Sequence, residues 1–350
     1  VGWYIVYGLF AFVALINLVL MRRPKAPGGD AKIAILIPAR NEASNLAELL
    51  PQLISDASGP KVFVFDDESD DGTGAVAQSL GAQVVRPREP LPQGWTGKNR
   101  ACHSLAETAL EATDAEWLLF LDADVRVSKD FMATIKGLAS TTRVPVVTAF
   151  PQIVPGRGVE PLFLAWVGWI LLASNPFGVV SRSGLGHNRF LNGQIQLWKT
   201  SVYSELWPNH AVKDKIMEDV QMGRLLARKN VRVDVVNLSS VIRVKMYDTW
   251  QQTLDGMSKN SYEITGSVGG SILISLGMFV LALGWILAPS PMLALGLFTL
   301  SGVAAALTAR AAPWPCLVMP VVTLIGGITI LRSTYWKLTG KVTWKGRTYP

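Results

Sequence analysis

The amino-acid sequence predicts an α/β domain with a mostly parallel sheet, carried by apolar helices at both ends of the chain. Three observations predict it. Short apolar runs alternate with helical stretches over residues 31–121. Apolar stretches at 1–20 and 268–332 are long enough for membrane helices. Only 17% of the 350 residues are charged, against about a quarter in a soluble protein, so part of the chain belongs in lipid. This length accommodates one full α/β domain plus membrane segments, not two large domains.

The membrane segments come first. Residues 3–20 carry no charge and are followed at once by Arg22, Arg23 and Lys25. Such a run spans the ~30 Å hydrocarbon core as a helix. A signal peptide carries its basic residues before the apolar run, and here they come after. An N-terminal membrane helix is therefore expected over residues 1–22, with the chain after residue 21 cytoplasmic by the positive-inside rule. The sequence begins with Val, not Met, which leads us to expect a trimmed N-terminus.

At the other end, runs at 271–288, 291–309 and 315–332 form a membrane region over 266–332, broken at Pro289–Pro291 and Arg310–Pro315. The basic tail, residues 333–350, holds Lys337, Lys341, Lys345 and Arg347 and no acid. Three full spans would place it outside, against the positive-inside rule, so a cytoplasmic tail is expected. Pro313, Pro315, Pro320 and Gly326–Gly327 then make the last run the candidate for a kinked, re-entrant or interfacial segment. Residues 162–180 are also apolar. Crossing there would put acidic motifs on opposite faces, so an interfacial helix is expected.

Within residues 23–265 the strands are expected at Ile33–Ile37, Val62–Phe65, Val84–Val85 and Trp117–Leu121. Helices are expected at Asn45–Leu53, Thr73–Leu80 and Arg100–Ala112. Alternation of this kind implies right-handed crossovers and helices on both faces of the sheet. Ligands bind such sheets at the carboxyl ends of the strands. Arg40-Asn41-Glu42, Asp66-Asp67 and Asp122-Ala123-Asp124 fall at those ends.

Composition excludes several classes. The net charge of +7 suits nucleic acid or an anionic membrane face, but no zinc-finger spacing, RNA-binding motif or basic helix with interleaved aromatics occurs. Nucleic acid is therefore not an expected partner. Cys102 and Cys316 lie far apart, which excludes a disulfide scaffold or a Cys-based zinc site and fits a reducing compartment.

The acidic motifs carry the chemistry. Asp122 and Asp124, one residue apart after an apolar strand, present oxygens to one space. Mg2+ or Mn2+ favours one or two carboxylates plus substrate phosphate oxygens, although a solvated acidic turn has the same composition. Ser69, Asp71 and Thr73 in the loop after the second strand are turn formers and caps, while its carboxylates could accept from a base N–H or ribose hydroxyls. In Trp95-Thr96-Gly97-Lys98-Asn99, glycine permits close backbone approach and Lys98 offers charge to phosphate, or is simply solvated. Glu218-Asp219 opens a helix at Val220–Ala227, where the dipole favours acids; a general base is the functional alternative.

Taken in order, Ile37-Pro38-Ala39-Arg40-Asn41-Glu42, Asp66-Asp67, Gly97-Lys98, Asp122-Ala123-Asp124, Asn192-Gly193-Gln194 and Glu218-Asp219 resemble the family-2 inverting glycosyltransferases of GT-A fold, over about residues 31–262. Trp95-Thr96-Gly97-Lys98, Gly256-Met257-Ser258-Lys259-Asn260 and Trp344-Lys345-Gly346-Arg347 bring the sequence nearest the carotenoid- and hopanoid-associated branch. The resemblance implies a Rossmann-like catalytic domain and a nucleotide-diphospho-sugar donor, usually UDP-linked. Pro38, Arg40, Glu42, Asp66 and Asp67 would surround the nucleotide, with Lys98 near it. Asp122 and Asp124 would hold Mg2+ or Mn2+, with Asp122 also facing the donor. Asp219, beside Glu218, would be the base, and Lys345 or Arg347 would close over the donor diphosphate or the acceptor. Processive members carry Gln-x-x-Arg-Trp; Trp250-Gln251-Gln252 does not match it, which argues against polymer synthesis.

The expectation is a multi-pass enzyme of the cytoplasmic membrane, its catalytic domain facing the cytoplasm, that transfers sugar with inversion to a lipid such as a carotenoid or hopanoid. The alternatives are a polyprenyl-phosphate sugar synthase on the same domain and a non-catalytic sugar-nucleotide-binding membrane protein.

Overall fold

The computed structural model describes residues 1–25, 28–54, 59–154, 158–183, 190–245, 247, 249–341, 343–344 and 347–348. The first half of the chain runs α1 (Gly2–Leu20), β1 (Ile33–Ala39), α2 (Ala43–Leu53), β2 (Lys61–Asp66), α3 (Thr73–Ser79), β3 (Gln83–Val85), α4 (Gly97–Ala112), β4 (Trp117–Leu121), β5 (Val125–Val127), α5 (Phe131–Thr141), β6 (Val146–Phe150), β7 (Gln152–Ile153) and α6 (Glu160–Ser174). The second half continues with α7 (Phe177–Ser183), β8 (Ile195–Lys199), α8 (Thr200–Leu206), α9 (Pro208–Ala211), α10 (Glu218–Arg228), β9 (Val233–Asn237), β10 (Ile242–Val244), α11 (Trp250–Thr265), α12 (Val268–Gly284), α13 (Pro291–Thr308), α14 (Met319–Leu338), β11 (Thr343–Trp344) and β12 (Arg347–Thr348). These elements fall into two compact units.

One unit comprises Arg22–Pro151 and Gly184–Val244. Its sheet has the order β3-β2-β1-β4-β8-β6-β9. β1 lies between β2 and β4 and is parallel to both. β8 runs antiparallel to β4 and β6, and β9 is again parallel to β6. The result is the mostly parallel α/β sheet that the alternating pattern predicts. β4 is buried at every position, as its five bulky apolar residues require of a strand covered on both faces. Leu46, Leu49, Leu50 and Leu53 of α2 are buried at the spacing of one helical face.

The register sets up the site. Ala39 pairs with Asp66, and the Asp67 N–H donates to the Ala39 carbonyl at 2.8 Å, so β1 and β2 end together. Two helices begin earlier than periodicity indicates. α4 starts at Gly97, not Arg100, because the Thr96 hydroxyl accepts from the Asn99 N–H at 3.3 Å and caps an added turn. α10 starts at Glu218, which puts both acids of that motif inside its first turn.

The other unit comprises Val1–Met21, Gln152–Ser183 and Lys245–Pro350. Among its described residues, five helical stretches are long and apolar enough to cross a membrane: Gly2–Leu20, Glu160–Ser183, Val268–Leu287, Pro291–Thr308 and Trp314–Leu338. Aromatic packing joins them. The Tyr7 ring lies 4.8 Å from Phe298, Trp169 lies 5.1 Å from Phe10, and the Trp169 indole N–H donates to Ser301 at 2.9 Å. Gly326 lets Trp166 approach α14: a Cβ there would come within 2.2 Å of the indole nitrogen.

Two apolar runs of this unit take a more detailed helical form than periodicity indicates. Residues 162–180 form two helices, because Pro176 holds Asn175 extended (φ −125°, ψ 117°) and separates α6 from α7. The last apolar run is assigned as one continuous helix from Met319 to Leu338. Pro313 and Pro315 belong to the short 3-10 stretch at its start, Pro320 sits in the first turn where its missing N–H leaves no bond unmade, and α14 continues through Gly326–Gly327. It also runs past Arg332, which is paired with Asp255 at 2.7 Å and lies 4.4 Å above the Trp336 ring.

Asn17 of α1 holds the break between α6 and α7. Its amide N–H groups donate to the Leu172 and Asn175 carbonyls at 2.7 Å each, and its oxygen accepts from the Gly178 N–H at 3.0 Å. Asn17 is fully buried, so water cannot replace these bonds. Asn17→Leu is expected to destabilise the protein by about 1–3 kcal/mol, the usual result of stranding buried polar groups. Thermal unfolding in detergent checks this, and an unchanged midpoint would show that the break holds without Asn17.

Candidate active site

The loops after β1 and β2 are clasped to each other. Asn41 takes a left-handed backbone conformation (φ 54°), which its short polar side chain supports. Its N–H donates to the Ser69 hydroxyl at 3.0 Å, and its side-chain oxygen accepts from the Asp70 N–H at 3.1 Å. The Glu42 N–H donates to Thr73, and the Ala43 N–H to Asp71, at 2.9 and 3.0 Å. Ser69, Asp71 and Thr73 are thus structural, as their turn-forming character suggests.

Of the residues expected around a nucleotide, Pro38, Arg40, Glu42, Asp66 and Asp67 lie on these strand ends. Glu42 accepts from the Asn45 amide at 2.5 Å. Arg40 donates to the Asp67 carbonyl at 2.8 Å and lies 3.6 Å from Glu68. Asp66 accepts from the Ser69 N–H at 3.1 Å and has Arg86 at 3.8 Å. Gly74 makes room for it, since a Cβ there would come within 2.4 Å of an Asp66 oxygen. Asp67 is buried and ion-paired with Arg100, which also donates to the Glu89 carbonyl at 3.1 Å.

The second group centres on Lys98. Its ammonium lies 2.9 Å from Asp122 and 3.0 Å from Glu218, and donates to the Gly193 carbonyl at 3.3 Å. Four separate stretches supply these groups: the first turn of α4, the residue after β4, the turn before β8 and the first residue of α10. Burial opposes the charge on Lys98, but Asp122 and Glu218 overcome it and hold the ammonium well above its ordinary pKa. Asp219 accepts from the Gly193 N–H at 3.2 Å and the Val220 N–H at 2.8 Å. Burial, then the neighbouring Glu218 charge, raises its pKa to about 7, against the opposing pull of Lys98. Any side chain at position 193 would press on this cluster, with a Cβ 3.3 Å from both Glu218 and Lys98 and 3.4 Å from Asp219.

Behind the cluster lies a cavity lined by Pro38, Lys98, Asp122, Gly193 and Glu218, of about 10 Å³, room for a single water. Asp124, half-buried, follows Asp122 within the turn closed by the Val125 N–H on the Asp122 carbonyl at 3.3 Å. Among the described residues no three His, Cys, Asp or Glu side chains close on one point as a metal site. The donor set nonetheless fits a hard cation: Asp122 and Glu218 oxygens already converge on a positive centre within 3.0 Å. Lys345 lies outside the described residues, and Arg347 is described only in its backbone, which pairs with Trp344.

Sequence reasoning placed Lys98 beside a nucleotide and did not foresee its bonds to Asp122 and Glu218. It also passed over Arg100, Gly193 as a steric requirement, and Asn99. Asn99 donates to the Val212 and Lys215 carbonyls at 2.9 and 3.1 Å and so ties α4 to the approach to Glu218. Arg100 had a signal, because a buried Asp67 demands a counter-charge.

Known proteins resemble this chain in sequence and in fold. Residues 34–162 match the sequence profile described as glycosyl transferase family 2. The chain is 25% identical over 232 residues to 4,4'-diaponeurosporenoate glycosyltransferase of Staphylococcus haemolyticus, a match covering 65% of this chain and 60% of that one. It is 26% identical over 259 residues to the protein of the same name from Staphylococcus aureus, covering 71% and 65%. The matches thus span less than two thirds of these relatives' length. Among solved structures, mannosyltransferase PcManGT of Pyrobaculum calidifontis, in complex with GDP-Man and Mn2+, superposes over 96% of both chains with a TM-score of 0.56 at 16% identity, a likeness of fold. Residues 34–162 thus resemble glycosyl transferase family 2 in sequence, and the strand order is that of a GT-A-like α/β fold.

Proposed function

We propose that the chain is a membrane-bound inverting glycosyltransferase that moves a sugar from a nucleotide-diphospho-sugar, UDP-linked by preference, to an apolar lipid of carotenoid type. The observation that carries this reading is the convergence of Lys98, Asp122, Glu218 and Asp219 at the carboxyl ends of parallel strands. The relatives' name supports the acceptor class, and the apolar helices support an enzyme that meets its acceptor in the bilayer. The basic residues after α1 favour a cytoplasmic face for the catalytic domain.

In this mechanism the strand-end loops receive the nucleotide, with Arg40, Glu42, Asp66 and Asp67 as its surroundings. Asp122 and Asp124 would hold Mg2+ or Mn2+ together with donor phosphate oxygens, and the ion would neutralise charge on the departing diphosphate. Lys98, held charged beside Asp122, would add a positive group to stabilise the departing diphosphate. Asp219 takes the proton from an acceptor hydroxyl as that oxygen attacks the anomeric carbon opposite the diphosphate. A pKa near 7 suits a general base, because Asp219 is then substantially ionised at neutral pH yet far more basic than an ordinary carboxylate. Lys345 and Arg347 of the basic tail remain proposed as groups that approach the diphosphate or the acceptor.

A second reading has one observation in its favour. The relatives' name denotes a carboxylate acceptor, which arrives ionised and needs no base. Asp219 would then orient the acceptor and would not deprotonate it.

Mass spectrometry of the lipid product formed with labelled donor tests the function itself; a soluble product, or none, would count against it. Asp124→Ala is expected to lower transfer on the order of a hundredfold or more, with the fold retained by circular dichroism. Near-wild-type, metal-independent transfer by this variant would remove the ion from the mechanism. Asp219→Asn should reduce kcat by roughly 10²–10⁴-fold with a hydroxyl acceptor and weaken donor binding little; unchanged kcat would establish the carboxylate reading. The pH profile follows from the raised pKa. The reactive form is deprotonated, so log kcat/KM for the acceptor should rise through a midpoint at about 7 and level off above it. Absence of this acid limb in the wild type would show that Asp219 does not serve as base.

A further inference from the structure

The acidic cluster contains its own cation. Lys98 Nζ is bonded to both oxygens of Asp122, at 2.9 and 3.2 Å, and to Glu218 at 3.0 Å, with the Gly193 carbonyl at 3.3 Å. These are oxygens of the kind a divalent ion takes, gathered around one positive atom. Its neighbours hold the lysine firmly. Thr96 caps the turn that carries it, and Asn99, one residue on, is tied to three carbonyls of the 212–215 segment. Asp122 cannot give its full charge to an ammonium and to a metal at once, because two cations at one carboxylate repel each other strongly in a partly buried site. Its side chain is only 26% exposed, so water screens this repulsion weakly.

We propose that Lys98 is an internal counter-ion that competes with the divalent metal for Asp122, and that it transfers to the donor diphosphate when metal and nucleotide enter together. This rests on the glycosyltransferase reading above. The lysine has a chemical reason to move: metal neutralises the carboxylates, and the diphosphate supplies the negative charge that the ammonium has lost. Metal and donor then enter as a linked pair, and an ion alone meets a site already neutralised by Lys98. The proposal makes Lys98 a positioning residue with two opposite effects, weakening metal binding alone and strengthening metal–nucleotide binding.

The test uses the full chain in detergent. Mn2+ binding without nucleotide is followed by electron paramagnetic resonance, and UDP binding at saturating Mn2+ by calorimetry. Lys98→Ala should bind Mn2+ at least tenfold tighter than wild type and bind UDP at least tenfold more weakly. Equal or weaker Mn2+ affinity in that variant overturns the proposal. A second measurement needs no substitution: acetylation of wild-type Lys98, read by peptide mass spectrometry, should rise severalfold on adding Mn2+ and fall again when UDP follows. Labelling indifferent to Mn2+ also overturns it. Donor turnover on the same preparation separates the two claims. Turnover with unresponsive Lys98 defeats the exchange and leaves the enzyme reading intact, whereas a responsive Lys98 without turnover of any nucleotide sugar does the reverse.

Discussion

Three carboxylates share a small space beside one ammonium, and the site depends on that balance. Asp122 and the adjacent pair Glu218–Asp219 come from distant parts of the chain, and the repulsion among the three carboxylates favours separation or protonation. Lys98 offsets it by bonding Asp122 and Glu218 directly. Asp219 is left with backbone donors from Gly193 and Val220, and these do not fully offset its burial and the adjacent Glu218 charge. The raised pKa of Asp219 comes first from burial and then from the Glu218 charge, and Lys98, bonded to Glu218, lowers it without cancelling either. Gly193 keeps the cluster uncrowded, since a Cβ there would sit 3.3–3.4 Å from Glu218, Lys98 and Asp219 and press on all three.

The same division of labour governs the loops around it. Ser69, Asp71 and Thr73 use their polarity to fix backbone, so the loop after β2 is rigid before any ligand meets it. Arg100 balances Asp67 from below the sheet edge and lies 5.6 Å from the Phe65 ring. A buried pair of this kind contributes modestly to stability compared with apolar replacements, but losing one partner strands the other. It is better understood as a constraint on the direction of the Asp67 carboxylate than as a source of stability.

Much of this was legible in the sequence where the signal is local. The unbroken apolar runs of β1 and β4 gave away a doubly covered parallel sheet, and the polar triplets at their ends marked the site's edge. Caps were harder to see. Thr96 precedes a polar turn, so periodicity started α4 three residues late and missed that Lys98 and Arg100 share a helix with opposite duties. The Lys98 bonds were not legible, since Glu218 and Gly193 are remote in sequence and nothing in either segment names its partner. Arg332 misled for a similar reason. A charge normally ends a membrane span, yet Asp255 and Trp336 accommodate it within α14.

The acceptor's chemistry decides what Asp219 is worth. A hydroxyl acceptor has to lose its proton during attack, and a carboxylate with a pKa near 7 in a partly buried site is suited to take it. A carboxylate acceptor reverses the electrostatics. It enters negatively charged beside Glu218 and Asp219, and the cluster repels it unless Asp219 is protonated or cations offset the charge. At a pKa of about 7 Asp219 can be either, so one residue suits a base for alcohols and a neutral hydrogen-bond donor for carboxylates. The two roles demand opposite protonation states, and activity would rise with pH in the first and fall with pH in the second. Under the proposed function, burial of Asp219 beside Glu218 would suit the cluster to either class of acceptor, according to the proton that Asp219 carries.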